Sequence, residues 1–120
     1  MRKLHQLITT CALGAITLTG SALAADAAKE LTGKQIAFDR SKGNCLACHA
    51  MPTVPDAESA GLIGPPLIAM SARYPDKAKL RAQIWDATVA NPSSSMIPFG
   101  KNGVLTEAEI DKVTDFIYGL

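Results

Sequence analysis

Residues that can attach and ligate a cofactor stand together in the segment CLACH, residues 45–49. Cys45 and Cys48 are thiols three positions apart, and His49 follows the second directly. This spacing lets a single turn of backbone carry both sulfur atoms to one porphyrin edge, where each can add to a vinyl group. The next residue then brings its imidazole beneath the iron. The pattern predicts one covalently bound haem c, held by Cys45 and Cys48, with His49 as an axial iron ligand.

Other chemistries use the same residue types. A redox-active C-x-x-C pair needs a thioredoxin-like βαβ setting, which the helical periodicity of this chain does not predict. A structural zinc site needs four protein ligands, so a carboxylate would have to complete the set. A simple disulfide beside a histidine fits an oxidising compartment. Of these interpretations, the pattern favours haem.

A second axial ligand is needed on the other side of the iron, and methionine thioethers are the candidates. Met51 follows His49 too closely for its sulfur to reach around the porphyrin. Met70 has apolar neighbours, which fits a contact with the core or the haem edge. Met96 lies on a proline-bounded loop that has the reach to cover the distal side. We therefore predict Met96 as the sixth ligand, and a His/Met pair raises the reduction potential and suits electron transfer.

The segment GPPL, residues 64–67, offers a group that can orient the histidine. A ligating histidine normally donates its second ring N–H to a carbonyl or carboxylate. A carbonyl of the rigid Pro-Pro turn can accept that hydrogen bond. The alternative is a loop without such a role.

The N-terminus has the pattern of an export signal. A basic start at Arg2 and Lys3 precedes an apolar stretch and a small-x-small pattern ending at Ala24. We predict a cleaved signal peptide, residues 1–24, and a domain of residues 25–120; the alternatives are an uncleaved anchor helix or lipid attachment at Cys11. Without Arg2 and Lys3, 10 basic residues stand against 11 acidic ones, so nucleic acid is not an expected partner.

The apolar periodicity predicts an all-α domain with long Pro/Gly-rich loops. A short helix around residues 36–38 should end at Gly43, and a second should begin at Pro75 and Asp76 and continue through Thr88. A third should open at Thr106, which forms a capping pair with Glu109. Residues 50–74 read as one long loop. A domain this small has a marginal apolar core, so we expect the haem to complete it.

The order of these motifs resembles class I c-type cytochromes, and more narrowly the SoxX family, the small monohaem subunit of the sulfur-oxidation SoxAX cytochrome. The resemblance rests on GNCLACH, GPPL, ARYPDKAKLRAQIWDATVANP, MIPFG and LTEAEIDKVTDFIY, from about residue 33 onward. That family commonly reads M-P-P-F-G where this chain has Ile97 after Met96. The resemblance implies that the carbonyl of Pro65 accepts the hydrogen bond from His49. It also implies that the first and last helices cross, so that Phe38 meets the region of Phe116 and Tyr118.

The same resemblance implies a periplasmic electron-transfer subunit that pairs with a larger haem-bearing SoxA subunit. Such a complex joins thiosulfate to a cysteine of the carrier SoxYZ and passes electrons to a downstream cytochrome. Outside the predicted signal peptide, Cys45 and Cys48 are the chain's cysteines, so it has none to spare as a further haem ligand. We assign no catalytic residue to it, and whether the chain counts as part of an L-cysteine S-thiosulfotransferase depends on that complex. The alternative function is a free monohaem shuttle to a respiratory oxidase or another dehydrogenase.

Overall fold

The computed structural model describes residues 30–58 and 60–120. These residues form four α-helices, α1 (Gly33–Phe38), α2 (Met70–Arg73), α3 (Lys77–Trp85) and α4 (Glu107–Tyr118), and a 3₁₀ turn at Cys45–Ala47. They contain no strand. The all-α prediction is confirmed. The predicted signal peptide, residues 1–24, lies outside the described residues.

Helix α1 is shorter than its sequence pattern predicts. Thr32 and Gln35 form a capping box at its start. The helix ends at Phe38, well before Gly43, because the side chain of Asp39 accepts hydrogen bonds from the backbone N–H of Ser41 (2.8 Å) and from its hydroxyl (2.6 Å). Such a local bond draws the chain into a turn and competes with helix continuation.

Helices α1 and α4 cross closely, as the resemblance to class I cytochromes implies. The rings of Phe38 and Phe116 meet edge to face, with centroids 6.3 Å apart and planes at 74°. At Gly33 a Cβ atom would lie 2.0 Å from the carbonyl oxygen of Lys112. Glycine at this position therefore permits the approach of the helices.

Helix α3 differs from its prediction at both ends. Asp76 is the N-cap, and its carboxylate accepts from the backbone N–H of Ala78 (3.0 Å), so Pro75 precedes the helix. The helix ends at Trp85 and does not reach Thr88, because the carboxylate of Asp86 accepts hydrogen bonds from the backbone N–H and hydroxyl of Thr88.

Helix α4 begins where the sequence predicts. Thr106 and Glu109 form the capping box, and the apolar face of Ile110, Val113 and Ile117 is buried. This face packs with residues from α1, α2, α3 and the loops in one apolar core. The predicted loop at residues 50–74 contains the short α2, which the sequence analysis missed. Ala69 before it has a left-handed conformation with φ of 51°, an uncommon start for a helix.

Candidate functional site

The CLACH segment forms a single tight turn. Asn44 precedes it with a left-handed φ of 45°, a conformation in which asparagine is enriched. The backbone N–H groups of Cys48 and His49 both donate to the carbonyl of Cys45, at 3.2 and 2.9 Å. One turn of backbone therefore carries the thiols and the imidazole, as the spacing predicts.

The imidazole of His49 lies against the GPPL loop. Its Nδ1 atom is 2.7 Å from the carbonyl oxygen of Pro65. A carbonyl only accepts hydrogen bonds, so Nδ1 carries the proton in this contact and Nε2 keeps a lone pair that can bind a metal. A Cβ atom at Gly64 would come within 2.3 Å of the ring atom Cε1. The missing side chain at Gly64 therefore lets the loop lie flat on the imidazole.

Backbone hydrogen bonds fasten this loop to the CLACH turn. Gly61 donates to the carbonyl of Leu46 at 2.7 Å, and Gly64 donates to that of Cys48 at 2.8 Å. Leu67 donates to the carbonyl of Ala50, also at 2.8 Å. These bonds set the position of Pro65 relative to His49 from both sides of the proline.

A cavity of about 780 Å³ opens beside the turn. It brings together all the site residues predicted from the sequence, and its lining includes Cys45, Cys48, His49, Pro65 and Met96. Much of its wall is apolar and includes Leu67, Leu80, Ile84, Phe99, Val113 and Ile117. Its volume falls within the range of roughly 300–1,000 Å³ that is usual for cofactor and ligand sites.

The methionines have different places around the cavity. Met51 is 2% exposed and packs in the core, and it is not among the lining residues. Met70 and Met96 both line the cavity. The sulfur of Met70 lies 3.3 Å from Nη1 of Arg73, and among the described residues it is the one thioether that accepts a hydrogen bond. Met96 is half-buried on its loop, so its sulfur remains the better candidate for a metal ligand.

The loop that carries Met96 is held at its base. The backbone N–H groups of Gly100 and Lys101 donate to the carbonyl of Trp85, at 3.2 and 3.3 Å. The Lys101 ammonium lies 2.8 Å from the carboxylate of Asp86, which is 6% exposed. The hydrogen bond from Lys101, followed by that from Thr88, holds the pKa of Asp86 below its usual range.

Comparisons with known proteins bear on the fold of the chain. No protein-family model matches the chain. An uncharacterized lipoprotein of Aquifex aeolicus (strain VF5) is 32% identical over 90 residues, which are 75% of this chain and 42% of that protein. The chain thus spans less than half the length of this relative. The crystal structure of SoxXA from P. pantotrophus superposes with a TM-score of 0.65 at 27% identity, covering 72% of this chain and 77% of the matched one.

The chain has a class I cytochrome c fold. The predicted resemblance to SoxX-type cytochromes is confirmed by this structural match. The match carries the fold and the likeness to that cytochrome, whereas the roles of individual residues rest on the geometry above.

The residues of this cytochrome fold fit a covalently bound haem. The cavity wall is apolar enough for a macrocycle, and Cys45 and Cys48 are both free thiols that line it. The structure therefore does not contain the disulfide that this alternative interpretation requires. Within residues 30–58 and 60–120, no three His, Cys, Asp or Glu side chains gather into a metal site, so the zinc interpretation gains no support.

The acidity of the thiols also bears on the redox-active interpretation. Burial raises the pKa of the Cys45 thiol to about 11. A reactive C-x-x-C pair needs a lowered thiol pKa, since the thiolate is the nucleophile. Cys45 is thus a neutral thiol at physiological pH, unlike the attacking cysteine of such a pair.

Some residues of the site were not assigned by the sequence analysis. Gly64 was quoted only within GPPL, although its missing side chain admits the His49 ring. Asp86 was not singled out, because no sequence pattern around a single aspartate after a helix indicates that it will pair with Lys101. Arg73 was not assigned a role either, since its contact with the GPPL loop depends on the turn at α2. Elsewhere, no helix of the described residues is long and apolar enough to cross a membrane.

Proposed function

We propose that this protein is a monohaem c-type cytochrome that transfers electrons in the periplasm. In this proposal Cys45 and Cys48 hold the haem through thioether bonds, and His49 and Met96 are the axial ligands. The observation that carries it is the common cavity, whose lining includes both thiols, the imidazole and a thioether. The haem would supply a one-electron couple between ferrous and ferric iron. We further propose that export removes residues 1–24 and leaves the domain of residues 25–120.

The protein's own residues orient the ligands and exclude water. The Pro65 carbonyl accepts a hydrogen bond from the Nδ1 N–H group of His49. This bond turns Nε2 toward the cavity and keeps the ring in one tautomer. Apolar residues of α3 and α4 close the cavity wall, and this lowers the local dielectric around a bound iron. The thioether of Met96 would be a soft and neutral iron ligand, which would raise the reduction potential.

We propose that the larger assembly is a thiosulfate-oxidising SoxAX-type complex, in which this chain is the small subunit beside a SoxA-type subunit. The support is the likeness to SoxXA from P. pantotrophus, at 27% identity over 72% of this chain. Substrate chemistry, the conjugation of thiosulfate to a carrier cysteine of SoxYZ, would take place outside this chain. A downstream cytochrome would then accept the electrons.

The distribution of surface charge favours a stable subunit over a mobile shuttle. Residues 60–72 and 87–100 carry no charged side chain, and both segments border the cavity. Most of the large exposed apolar residues lie in them: Leu62, Ile63, Ile68, Val89 and Ile97. Exposed apolar patches on soluble proteins mark interaction sites.

The ion pairs lie elsewhere on the surface. Lys77 pairs with Asp115 at 2.7 Å, and Arg81 pairs with Glu107 and Asp111 between α3 and α4. Opposite charges are interspersed there, so the described surface of α3 and α4 does not form a basic ring of the kind that steers a charged redox partner. A free shuttle to a respiratory oxidase is the second candidate.

The test is size-exclusion chromatography with intact-mass analysis of the untagged protein from the periplasm of its native host. We expect a chain beginning at Ala25 with the mass of one added haem, co-eluting with a larger haem-bearing chain. Obligate interfaces usually survive purification, so a lone haem protein would reject the subunit proposal and favour the shuttle. A chain without added mass would reject the cytochrome proposal itself.

A further inference from the structure

Arg73 makes an unusual connection between α2 and the loop that touches His49. It is the last residue of α2, and its Nη1 donates to the carbonyl oxygen of Pro66 at 2.8 Å. The same nitrogen lies 3.3 Å from the sulfur of Met70. Its side chain also lines the cavity. A guanidinium thus reaches back from the helix to the turn next to the histidine.

The Pro65–Pro66 turn has few other means of being held. Neither proline has a backbone N–H, so neither nitrogen can donate a hydrogen bond. The nearest backbone anchors are the N–H groups of Gly64 and Leu67, one on each side of the pair. The carbonyl of Pro65 accepts from His49, and that of Pro66 accepts from Arg73. Besides His49, Arg73 is therefore the one described side chain that makes a hydrogen bond to a carbonyl of this turn.

We propose that Arg73 is a positioning residue for His49. By binding the Pro66 carbonyl, the guanidinium fixes the direction in which the adjacent Pro65 carbonyl meets the Nδ1 proton. The positive charge of the guanidinium, bound at the neighbouring carbonyl, also makes the electrostatic potential at the Pro65 oxygen less negative and weakens it as an acceptor. A weaker acceptor leaves less negative charge on the imidazole, and a less basic ligand favours ferrous iron.

This inference rests on the proposed function, since it concerns His49 as an iron ligand. Arg73 then raises the reduction potential by weakening the hydrogen bond that the proximal histidine donates to Pro65. The rival role for Arg73 is an ion pair with a propionate of the haem, which would act on the cofactor's edge and not through His49.

The experiment uses the full haem-loaded protein with Arg73→Gln and Arg73→Lys. Lys79→Gln is the matched control, because Lys79 is an exposed cation of α3 that does not line the cavity. The readouts are the reduction potential and, by proton NMR of the ferrous protein, the chemical shift and solvent-exchange rate of the His49 Nδ1 proton. The NMR signal reports the hydrogen bond to Pro65, which a general loss of stability would not shift.

We expect Arg73→Gln to favour ferric iron about tenfold at a fixed potential, equivalent to about 59 mV for a one-electron couple. The Nδ1 proton should shift and exchange more slowly in the same variant, because the Pro65 carbonyl is a stronger acceptor without the adjacent cation. Arg73→Lys keeps a cation but loses the planar fork, so it should give a smaller change of the same sign. It also provides the test if Arg73→Gln does not fold. Lys79→Gln should change neither readout.

An unchanged Nδ1 proton in both Arg73 variants would overturn the proposal, whatever happens to the potential. In particular, a new pH dependence of the potential with an unchanged Nδ1 signal would assign Arg73 to a propionate. These outcomes require that the wild-type protein binds haem. Failure of the proposed function would appear earlier, as a wild-type chain without haem, and is thus distinct from failure of the role of Arg73.

Discussion

The two sides of the cavity are built in different ways. The histidine side consists of residues 45–50 and 60–67, which are cross-linked by three backbone hydrogen bonds and by the contact of His49 with Pro65. The methionine side is the loop of residues 87–100. It is tied to the end of α3 at its base, and Met96 itself donates only to the nearby hydroxyl of Ser94, at 3.2 Å.

Because of this difference, we expect substitutions on the histidine side to affect mainly stability, and substitutions on the methionine side to affect mainly iron ligation. Changes on the histidine side disturb several tertiary hydrogen bonds at once and should lower the free energy of unfolding of the whole domain. Changes at the tip of the methionine loop remove few contacts and should alter the iron while the fold persists.

Replacing both thiols, Cys45→Ser with Cys48→Ser, should abolish covalent haem attachment and leave little folded protein after export. The physical reason is that the cavity of about 780 Å³ lies within a small core, and an empty cavity of that size is strongly destabilising. Far-UV circular dichroism and the periplasmic yield measure the outcome, with the single variant Cys45→Ser as a partial control. Recovery of a stable, haem-free helical domain would show that the protein core suffices without the cofactor.

The substitution Gly64→Ala should destabilise the folded protein by about 3 kcal/mol, because overpacking a close contact forces side chains and backbone apart. The added methyl group would lie 2.3 Å from the imidazole of His49. Urea unfolding of the haem-loaded protein measures the loss. Gly119→Ala is the matched control, since a Cβ there meets its nearest described atom at an ordinary 3.5 Å. A Gly64 variant as stable as this control would mean that the histidine side yields more easily than its hydrogen bonds indicate.

The CLACH turn and the start of α4 show which features can be predicted from the sequence. The spacing of Cys45, Cys48 and His49 was sufficient to place them on one turn, because that motif is local. The start of α4 was equally local, since Thr106 and Glu109 cap it without help from the rest of the chain. Features of this kind depend only on neighbouring residues, so the sequence specifies them directly.

Non-local contacts account for part of what the sequence analysis missed or misplaced, and local turns at Asp39 and Asp86 account for the early helix ends. Helix α3 ends before Thr88 because Asp86 turns to Thr88 and to Lys101, and the latter lies on the far side of the methionine loop. The contact of Arg73 with Pro66 likewise depends on α2, a helix too short to show a periodic pattern. Hydrophobic periodicity predicts which face of a helix is buried, but it does not show which loop will return to the end of that helix.

On the methionine side, Met96→Ala should lower the reduction potential and open the ferrous iron to carbon monoxide. We expect a decrease on the order of 0.1 V, a modest part of the ~0.8 V that axial ligands can span. Met70→Ala is the control, because the Met70 sulfur already contacts Arg73; it should do neither. Voltammetry and the carbon monoxide difference spectrum are the measurements. Equal effects of the two variants, or none at Met96, would reject Met96 as the ligand.

The smallest expected effect concerns the base of the methionine loop. The pKa of Asp86 is lowered first by its hydrogen bond with Lys101, so the folded state favours the ionised carboxylate. A lowered folded-state pKa contributes stability that is present above the ordinary aspartate pKa of about 3.9 and is lost as the pH falls through the folded-state value. Lys101→Gln removes this cause, so the variant should lose less stability than the wild type between pH 5 and pH 3.

Urea unfolding of the haem-loaded protein at several pH values measures this difference, with Lys79→Gln as the control that keeps the Asp86–Lys101 pair. At pH 7 the Lys101 variant should be the less stable protein, and its stability should converge with that of the wild type as Asp86 becomes protonated. The two backbone bonds to Trp85 would still hold the loop, so the reduction potential at pH 7 should change little. A large fall in potential would mean that the ion pair, and not the backbone, positions Met96. A parallel loss of stability in both proteins at low pH would place the acid-sensitive contact outside the methionine loop.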